Sequence, residues 1–362
     1  MINSVLPAYG FDPHKCIIQP FGTGLINHTW LLQYQGNDYI LQKVNHHVFK
    51  NPYYISDNIL EISNYLKQHF PGYLFVTPIL SIDNKDVVCN VDSFYRIFPF
   101  VKDSVTFTTL ESPELAYEAA KQFGKFTHLL SGFNADILKE TLPDFHNLTL
   151  RYNDFKESIL HANKDRLAEA NESIKHIEKY RYIVDEFNQI KRSRFFKKRV
   201  MHHDTKISNV LFDKKNKGLC LIDLDTVMPG YFISDVGDMM RTYLSPASEE
   251  EKDFTKIEIR ENFFDAVADG YLSEMNTDLT EEEKKSFVYA GKFMIYMQAV
   301  RFLADYLCDD VYYGSKYEGH NFVRAKNQLY LLDRLQEKED QLLQRIKNAK
   351  FYVTSEYRKH RT

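Results

Sequence analysis

The spacing of hydrophobic positions changes partway along the chain. Up to residue 101, apolar residues form short runs rich in β-branched and aromatic side chains, a pattern typical of strands. From residue 106 onward, apolar residues recur at helical intervals. The sequence therefore predicts an α+β fold, with a small β-rich domain at residues 1–101 and a larger, mainly helical domain at residues 102–362.

Individual elements follow from the same pattern. Residues 30–34 and 39–44 flank a polar, Gly-containing turn and predict a hairpin. Residues 56–67 carry apolar side chains at helical spacing, and Ser112 followed by Pro113 is typical of a helix start. Further strands are predicted at 74–76, 86–91 and 94–101, a long helical stretch at 150–190, a second hairpin at 210–213 and 218–224, and a last helix at 329–350.

Length, charge and cysteine usage narrow the possible classes of protein. A chain of 362 residues is longer than one hydrophobic core usually organises, which agrees with two domains. The net charge of −4 argues against nucleic acid or an anionic membrane as the main partner. No apolar stretch approaches the ~20 residues that cross a bilayer, and the first ten residues do not resemble a signal peptide. The four cysteines are scattered without metal-ligand spacing, so we expect reduced thiols in a cytoplasmic protein.

The candidate chemistry lies in the segment 200–225. Asp204 is followed by Asn209 and, near the end of the second predicted hairpin, by Asp223. At this spacing in phosphotransferases, the first aspartate takes the proton of the attacking hydroxyl, and the other two side chains bind Mg²⁺. Folding the hairpin back predicts that Asn209 and Asp223 share one Mg²⁺, while Lys206 neutralises charge on the transferred phosphoryl group. The alternative is an ordinary charged surface hairpin; the spacing favours an ATP-dependent kinase.

The same residues carry a resemblance to a known family. Residues 202–209 (His-His-Asp-Thr-Lys-Ile-Ser-Asn) and 222–225 (Ile-Asp-Leu-Asp) resemble the catalytic and metal-binding motifs of the aminoglycoside-phosphotransferase-like, or choline-kinase-like, superfamily of small-molecule kinases. The likeness spans nearly the whole chain, and within the superfamily it is greatest to N-acetylhexosamine 1-kinases. It implies a bilobal protein-kinase-like fold, ATP and Mg²⁺ as cofactors, and a small-molecule acceptor.

The resemblance also implies which residues hold the nucleotide. Glycines in the turn before the first hairpin would let backbone N–H groups approach the phosphates. Lys43 is the expected contact of the α- and β-phosphates, with a lysine on the solvent face of a strand as the alternative. Glu61 is preferred as its carboxylate partner over Asp57, which is equally suited to cap the helix. The remaining expected contacts are Gly22, Gly24, Asn27 and Thr29 at the phosphates, and Phe98 and Phe100 in an adenine-binding hinge at residues 98–101.

The acceptor site is expected in the helical domain. Arg301 and Asp305 lie four residues apart on one face of a mostly apolar helix, where buried charges need a partner. An internal salt bridge and a sugar site both satisfy that need, and the resemblance favours Arg301 as a ligand of sugar hydroxyls. It also implies that Asp225 contacts either the metal or the acceptor, and that Asp235 braces the catalytic loop. The predicted substrate contacts are His28, Asp204, Arg301, Asp305 and Tyr317.

The preferred acceptor is the anomeric hydroxyl of an N-acetylhexosamine, N-acetylglucosamine or N-acetylgalactosamine. Other small alcohols and amines remain open: choline, ethanolamine, homoserine, a fructosamine or an aminoglycoside. Choline would need an aromatic cage, which the many tyrosines are able to supply. A catalytically inactive nucleotide-binding scaffold is the alternative from another class, and the presence of Lys43, Asp204, Asn209 and Asp223 argues against it. We expect a monomer or a weak dimer.

Overall fold

The computed structural model describes residues 2–22, 24 and 26–349. The chain forms two compact units that do not follow chain order. The first unit contains residues 1–106, 132–143 and 210–229, and the second contains 107–131, 144–209 and 230–362. The predicted domains 1–101 and 102–362 differ from these units, because the segments 132–143 and 210–229 belong to the first unit. The predicted domains therefore stay a prediction.

The first unit is built on an antiparallel sheet. Its strands are β1 (Ile17–Pro20), β2 (His28–Tyr34), β3 (Asn37–Val44), β4 (Val88–Asn90) and β5 (Ser93–Pro99). Among the described residues they lie in the order β1-β2-β3-β5-β4. The hairpin predicted around residues 35–38 is confirmed: Tyr34 pairs with Asn37, and Gln35 and Gly36 both adopt positive φ, as tight hairpin turns require.

One face of this sheet packs against the N-terminal turns. Leu32, Leu41 and Ile97 are fully buried there, because alternate strand residues point to the same side. The predicted strand at residues 74–76 is wrong: those residues lie in irregular backbone, and strand pairing in this part of the chain begins at β4. A three-residue apolar run is too short for its pattern to distinguish a strand from a buried loop.

A helix and two later segments complete the first unit. Helix α1 (Pro52–His69) begins one turn before the predicted segment, because the Asn51 side chain caps it by accepting the N–H of Tyr53. The buried Asn58 on α1 donates to the carbonyl oxygens of Lys139 and Val227, at 2.8 and 2.9 Å. The α1 side chain therefore ties both inserted segments to the unit.

The second predicted hairpin is confirmed as β7 (Val210–Phe212) and β8 (Gly218–Leu221). Asp213 accepts the N–H groups of Lys215 and Lys217 and so closes the turn. Val105 and Phe212 exchange backbone hydrogen bonds of 2.8 and 2.9 Å, which fastens the hairpin to the first unit. Strand β9 (Met228–Gly230) follows.

The second unit is mainly helical. The predicted helix start is confirmed, since the Ser112 side chain accepts the N–H of Leu115. The long helical stretch predicted at 150–190 is three helices, separated at Asn163, which caps the next helix, and at Arg181. The elements are α2 (Pro113–Leu129), α3 (Leu148–His161), α4 (Lys164–Lys179), α5 (Tyr182–Arg192), β6 (Arg199–Met201), α6 (Phe232–Tyr243), α7 (Glu261–Met275), α8 (Glu281–Lys285), α9 (Phe287–Leu307), α10 (His320–Glu337) and α11 (Glu339–Lys347).

Helix α9 is the central helix of the second unit. It packs against α3, α6 and α10, and most of its side chains are buried, which explains its weak amphipathic pattern. Together, the sheet of the first unit and the helices of the second confirm the α+β class. Within the described part of the chain, every helix is too short or too polar to cross a membrane.

Helices α2 and α7 approach closely through glycines. A Cβ on Gly270 would overlap the carbonyl oxygen of Tyr117, and a Cβ on Gly124 would lie 2.9 Å from the carbonyl oxygen of Tyr271. The side of each helix that faces the other therefore has no room for an additional methyl group.

We expect Gly270→Ala to lower the free energy of unfolding. Forcing an atom into a packed interface costs about 1–3 kcal/mol. Replacing a helical glycine by alanine returns about 1 kcal/mol of helix propensity. Because the overlap is with the backbone, the steric cost should lie at the upper end of that range, about 2–3 kcal/mol, and leave a loss of about 1–2 kcal/mol in chemical denaturation.

Gly72→Ala is the matched control, because a Cβ there has no neighbour within 4 Å. It should change the free energy of unfolding by less than about 0.5 kcal/mol. An equal effect of the two substitutions would contradict the close helix packing.

Candidate active site

The backbone of the catalytic segment 202–209 is held by a buried carboxylate. Asp235, in the first turn of α6, accepts the backbone N–H of His202 at 2.9 Å and that of His203 at 2.8 Å. Burial raises the pKa of Asp235 to about 7, although these two hydrogen bonds act in the opposite direction. The bracing expected of Asp235 is thus seen in its contacts.

A second carboxylate of α6 holds the other side of the loop. Asp238 accepts the N–H of Thr205 at 2.8 Å, and Tyr243 donates to the Thr205 carbonyl oxygen at 2.6 Å. Burial raises the pKa of Asp238, with Arg241 opposing that shift through a 3.1 Å ion pair. The backbone is therefore fixed immediately before and after Asp204.

Asp204 carries the carboxylate on which the candidate chemistry depends. Its side chain is 28% exposed, and its Oδ2 lies 2.7 Å from Nζ of Lys206. Burial favours the neutral acid, but Lys206, His202 and the Asn209 amide together lower the pKa of Asp204 below its ordinary value. The structure thus brings together three predicted residues, Asp204, Lys206 and Asn209, around an ionised carboxylate.

Asn209 is oriented by the same loop. Its Nδ2 donates to the backbone carbonyl oxygen of Asp204 at 2.9 Å, which assigns the opposite atom of the amide as the oxygen. Asn209 is buried at the end of the short turn Ile207–Asn209. An amide oxygen is a hard ligand of the kind that Mg²⁺ accepts.

His203 occupies an uncommon backbone conformation beside Asp204. Its φ is 66°, a left-handed region that costs energy for a residue with a side chain. Its Nδ1 lies 3.2 Å from Nδ1 of His146, and the ring packs so closely on Gly230 that a Cβ there would overlap it. Burial, the His203 ring and nearby arginines keep the pKa of His146 well below its ordinary value. A buried His146 whose pKa is lowered therefore contacts His203, next to Asp204.

The two aspartates after β8 have different surroundings within the first unit. Asp223 adopts a positive φ of 59° at the end of the hairpin. Asp225 is buried, with Oδ1 accepting from Arg96 at 2.5 Å and Oδ2 from Asn27 at 2.7 Å. Both oxygens of Asp225 accept hydrogen bonds from side chains, which gives Asp225 a bracing role in the first unit. The metal contacts of Asp223 and Asp225 stay predictions.

The turn before β2 is anchored through Asn27. Its Oδ1 accepts the N–H of Asn45 at 3.0 Å, and its Nδ2 donates to Asp225. The predicted phosphate contact Thr29 lies within β2, where its hydroxyl accepts from Gln42. Of the two predicted glycines, Gly22 has a positive φ and Gly24 does not. Asn27 therefore serves as a brace of the turn.

Lys43 and Glu61 are not brought together. Lys43 is half-buried on β3 and faces His28 and Tyr95 across the sheet. Glu61 is exposed on α1. Within the described ranges Lys43 forms no ion pair, so the sheet alone sets its position.

The predicted adenine hinge follows β5. Phe98 pairs with Ile40 in the sheet, and the N–H of Phe100 donates to the Asp38 carbonyl oxygen at 3.2 Å. The ring of Phe21 meets that of Phe100 edge-on, with centroids 6.1 Å apart. The N–H of Phe100 is therefore hydrogen-bonded to the sheet. Phe98 and Phe100 stay the predicted adenine contacts.

The predicted acceptor residues Arg301 and Asp305 do not form an ion pair with each other. Asp305 is buried and accepts the backbone N–H groups of Tyr312 and Tyr313, at 2.7 and 3.0 Å. The guanidinium of Arg301 lies 5.6, 5.8 and 5.4 Å from the ring centroids of Phe145, Tyr312 and Tyr313. Asp305 thus has a structural role, whereas the guanidinium of Arg301 packs against aromatic rings.

The remaining predicted substrate contacts differ in location. Tyr317 is half-buried in the second unit, its ring 4.8 Å from that of His320 and 3.8 Å from Nζ of Lys252. His28 is exposed in the first unit, beside Trp30. Arg301 and Tyr317 therefore share a unit with Asp204, and His28 does not.

Sequence reasoning missed three residues of these networks: Arg96, His146 and Asp238. Arg96 offered a signal, since a single charged residue interrupts the aromatic run of β5. Asp238 also offered one, because it lies three residues after Asp235 and so on the same helix face. His146 had no local signal, because its partner His203 is 57 residues away.

We expect Asp235→Asn to loosen the catalytic loop. An asparagine has one oxygen, so one of the two N–H groups would face an NH₂ donor. A buried donor without a partner costs about 1–3 kcal/mol. The free energy of unfolding should fall by that amount, and the amide hydrogens of His202 and His203 should exchange faster with solvent.

Asp333→Asn provides the control. Asp333 also accepts two hydrogen bonds, from His176 at 2.9 Å and Tyr180 at 2.7 Å, both outside the loop. It should lower stability without changing amide exchange at residues 202–203. Unchanged exchange there in Asp235→Asn would refute the bracing role.

Comparison with solved structures identifies the fold. An aminoglycoside phosphotransferase from Alicyclobacillus acidocaldarius aligns at 14% identity with a TM-score of 0.60, covering 91% of this chain and 92% of its own. A choline kinase from Cryptosporidium parvum aligns at 14% identity and a TM-score of 0.56, covering 97% and 99%. A spectinomycin phosphotransferase in complex with ADP and spectinomycin aligns at 14% identity and 0.59, covering 93% and 97%. The predicted kinase-like fold is confirmed.

The sequence itself gives the family. A model of the phosphotransferase enzyme family matches residues 17–279, which include the sheet, the catalytic loop and helix α6. That range is most of the chain, and it contains Asp204, Asn209 and Asp223. The chain belongs to the phosphotransferase enzyme family and is a phosphotransferase.

Proposed function

We propose that this phosphotransferase transfers the γ-phosphoryl group of ATP to the anomeric hydroxyl of an N-acetylhexosamine. The observation that carries the proposal is the setting of Asp204, an ionised carboxylate on a doubly braced loop beside Lys206. The same unit contains Arg301, which forms no ion pair with any residue that the structure describes. The first part supports the chemistry and the second supports the acceptor class.

The proposed reaction is an in-line displacement. The sugar hydroxyl oxygen forms a bond to the γ-phosphorus while the bond from that phosphorus to the β,γ-bridging oxygen breaks, releasing ADP. Asp204 accepts the hydroxyl proton, and Lys206 offsets negative charge on the phosphoryl oxygens. A carboxylate that is ionised at neutral pH is ready to accept that proton.

ATP and Mg²⁺ are the proposed cofactors. The related spectinomycin phosphotransferase structure holds ADP, which supports an adenine nucleotide here. Asn209 and Asp223 are the residues that would hold Mg²⁺, each through a hard oxygen ligand, and the metal would supply neutralisation of phosphate charge. Lys43 and the backbone around Gly22 and Gly24 are the proposed phosphate contacts, and Phe98 and Phe100 those of adenine.

The charge of Arg301 favours a neutral, hydroxyl-bearing acceptor. Asp305, the nearest carboxylate along its helix, is bound to backbone N–H groups and does not neutralise it. A cation such as choline or a protonated aminoglycoside would be repelled by this guanidinium. A sugar offers hydroxyl and acetamide oxygens to Arg301 and an apolar ring face to Tyr312 and Tyr313.

A cationic alcohol is the second candidate. The structural relatives include a choline kinase and an aminoglycoside phosphotransferase, and the tyrosines around Arg301 would suit a quaternary ammonium if the arginine moved aside. Arg301 should attract the oxygens of a sugar and repel a cation. A substitution of Arg301 should therefore distinguish the two candidates.

The first test is consumption of ATP by the purified protein with Mg²⁺ and a panel of acceptors. The panel contains N-acetylglucosamine, N-acetylgalactosamine, unacetylated hexoses, choline, homoserine and kanamycin. We expect turnover of the acetylated sugars, and a loss of about a thousandfold or more in kcat for Asp204→Asn, because the proton acceptor is removed.

The Asp204→Asn variant must retain the melting temperature of the parent for this comparison to count. Turnover of choline or kanamycin alone would replace the sugar by the second candidate. Binding of ATP without turnover of any acceptor would support a non-catalytic scaffold instead.

We expect Arg301→Gln to raise the KM for N-acetylglucosamine roughly 10- to 100-fold, because a hydrogen bond to a charged group is worth about 1.5–3 kcal/mol. The KM for ATP should stay unchanged. If the acceptor is a cation, the same substitution should lower its KM, since a repulsive charge is removed.

Arg194→Gln is the control for Arg301→Gln. Arg194 is exposed and stacks on Phe195 at 5.0 Å, so it also loses a cation–π contact. It should leave both KM values unchanged. An acceptor KM that is equal in parent and Arg301→Gln would remove Arg301 from the acceptor site.

A further inference from the structure

Glu249 joins two arginines in the loop between α6 and α7. Its Oε2 accepts from Nη1 of Arg241 at 2.8 Å, and its Oε1 accepts from Nη2 of Arg324. Both guanidinium groups are largely buried, with 17% and 13% of their side chains exposed. Two buried like charges at one point are unfavourable unless a carboxylate separates them. Burial opposes ionisation of Glu249, but the two arginines together lower its pKa below the ordinary value.

One arm of this junction leads to the catalytic loop. Arg241 contacts Oδ1 of Asp238 at 3.1 and 3.2 Å, and Oδ2 of Asp238 accepts the N–H of Thr205. Thr205 directly follows Asp204. The position of Glu249 is therefore connected to the catalytic aspartate through two ion pairs and one backbone hydrogen bond.

The other arm leads to the acceptor loop, which we define as residues 309–319 between α9 and α10. Arg324 donates to Oδ1 of Asn321 at 3.0 Å. The Asn321 Nδ2, which carries two hydrogens, lies within hydrogen-bond distance of three acceptors: Asp305 at 3.0 Å, Asp310 at 2.9 Å and the carbonyl oxygen of Gly314 at 3.0 Å. Asn321 thus contacts the acceptor loop at Asp310 and at Gly314, and it also contacts the carboxylate of Asp305 on α9.

The same arm ends at the aromatic residues around Arg301. Asp305 accepts the N–H groups of Tyr312 and Tyr313, which fixes the backbone that carries both rings. Arg324 also lies 5.3 Å from the ring centroid of Tyr313. Two independent contacts therefore connect Arg324 to the ring that packs against the Arg301 guanidinium.

We propose that Glu249 is a positioning residue that sets the acceptor loop relative to the catalytic loop. The carboxylate holds one arginine of each arm, so the Tyr312–Tyr313 backbone and the backbone next to Asp204 share one fixed point. The acceptor role of this loop rests on the proposed function, whereas the connection itself rests on the hydrogen bonds alone. Displacement of about 1 Å between reacting groups can cost about 100-fold in rate, so such a connection affects catalysis without touching the substrate.

A purely structural ion pair is the competing explanation. It would lower stability when broken but would not act on two loops at once. Glu249→Gln distinguishes these cases, because a neutral amide keeps the shape yet has a single acceptor oxygen and cannot hold both arginines.

Glu339→Gln is the matched control. Glu339 is 24% exposed against 29% for Glu249, and it holds the buried Lys292 at 2.6 Å. It lies on α11 and also accepts from Gln336, so it is likewise a bridging carboxylate. Any general effect of breaking a bridging ion pair in the second unit should appear in both variants.

The experiment measures amide hydrogen exchange and steady-state kinetics with ATP and N-acetylglucosamine. In Glu249→Gln we expect faster exchange at Thr205, Tyr312 and Tyr313, and a KM for N-acetylglucosamine raised roughly tenfold with the KM for ATP unchanged. In Glu339→Gln, exchange at these three residues and both KM values should match the parent.

Each outcome decides the proposal. Unchanged exchange at Thr205, or at both tyrosines, in Glu249→Gln would overturn it, whatever the acceptor proves to be. Equal acceptor KM values in Glu249→Gln and the parent would overturn it as well. If the parent protein does not phosphorylate N-acetylglucosamine but exchange rises on both loops, the proposed acceptor fails and the connection stands.

Discussion

The carboxylates of helix α6 are the constraint on which the site depends. The loop 202–209 has little regular structure, and His203 within it adopts a left-handed backbone. Such a conformation persists only when its surroundings over-determine it. Asp235 and Asp238 do so, because each accepts a backbone N–H of the loop from a buried position. Burying these two carboxylates is unfavourable, and their hydrogen bonds to the loop offset part of that cost. The same hydrogen bonds fix the backbone around Asp204.

Charge distribution in the second unit follows from the same arrangement. The largely buried Arg241 forms one ion pair with Asp238 and a second with Glu249. By contrast, Asp305 accepts from backbone N–H groups and from the Asn321 amide, and among the described residues Arg301 contacts aromatic rings and has no carboxylate partner. If Arg301 lies at the acceptor site, as proposed, its positive charge favours oxygen-rich acceptors over cations. The unit thus pairs Arg241 with carboxylates and packs Arg301 against aromatic rings.

Local patterns in the sequence predicted much of the fold and part of the site. The hairpins around residues 35–38 and 213–217, the helix starting after Ser112, and the catalytic spacing from Asp204 to Asn209 all depend on neighbours in the chain. The misplaced strand at 74–76 and the undivided helix at 150–190 show the limit, because short runs and helix breaks are decided by capping and packing. Contacts such as Glu249 with Arg324 join residues 75 positions apart, and no local pattern encodes them.

Asp225 shows why motif spacing alone does not assign a role. Both Asp223 and Asp225 stand in the motif that resembles a metal site, and the resemblance leaves Asp225 between a metal contact and an acceptor contact. Folding places Asp225 against Arg96, whose side chain is buried to the same extent, and against Asn27 in the turn before β2. A buried arginine requires a carboxylate, since an unpaired buried charge is far more costly than a paired one. Asp225 is therefore needed as the ion-pair partner of Arg96. Asp225 also accepts from Asn27 and so anchors the turn that precedes β2.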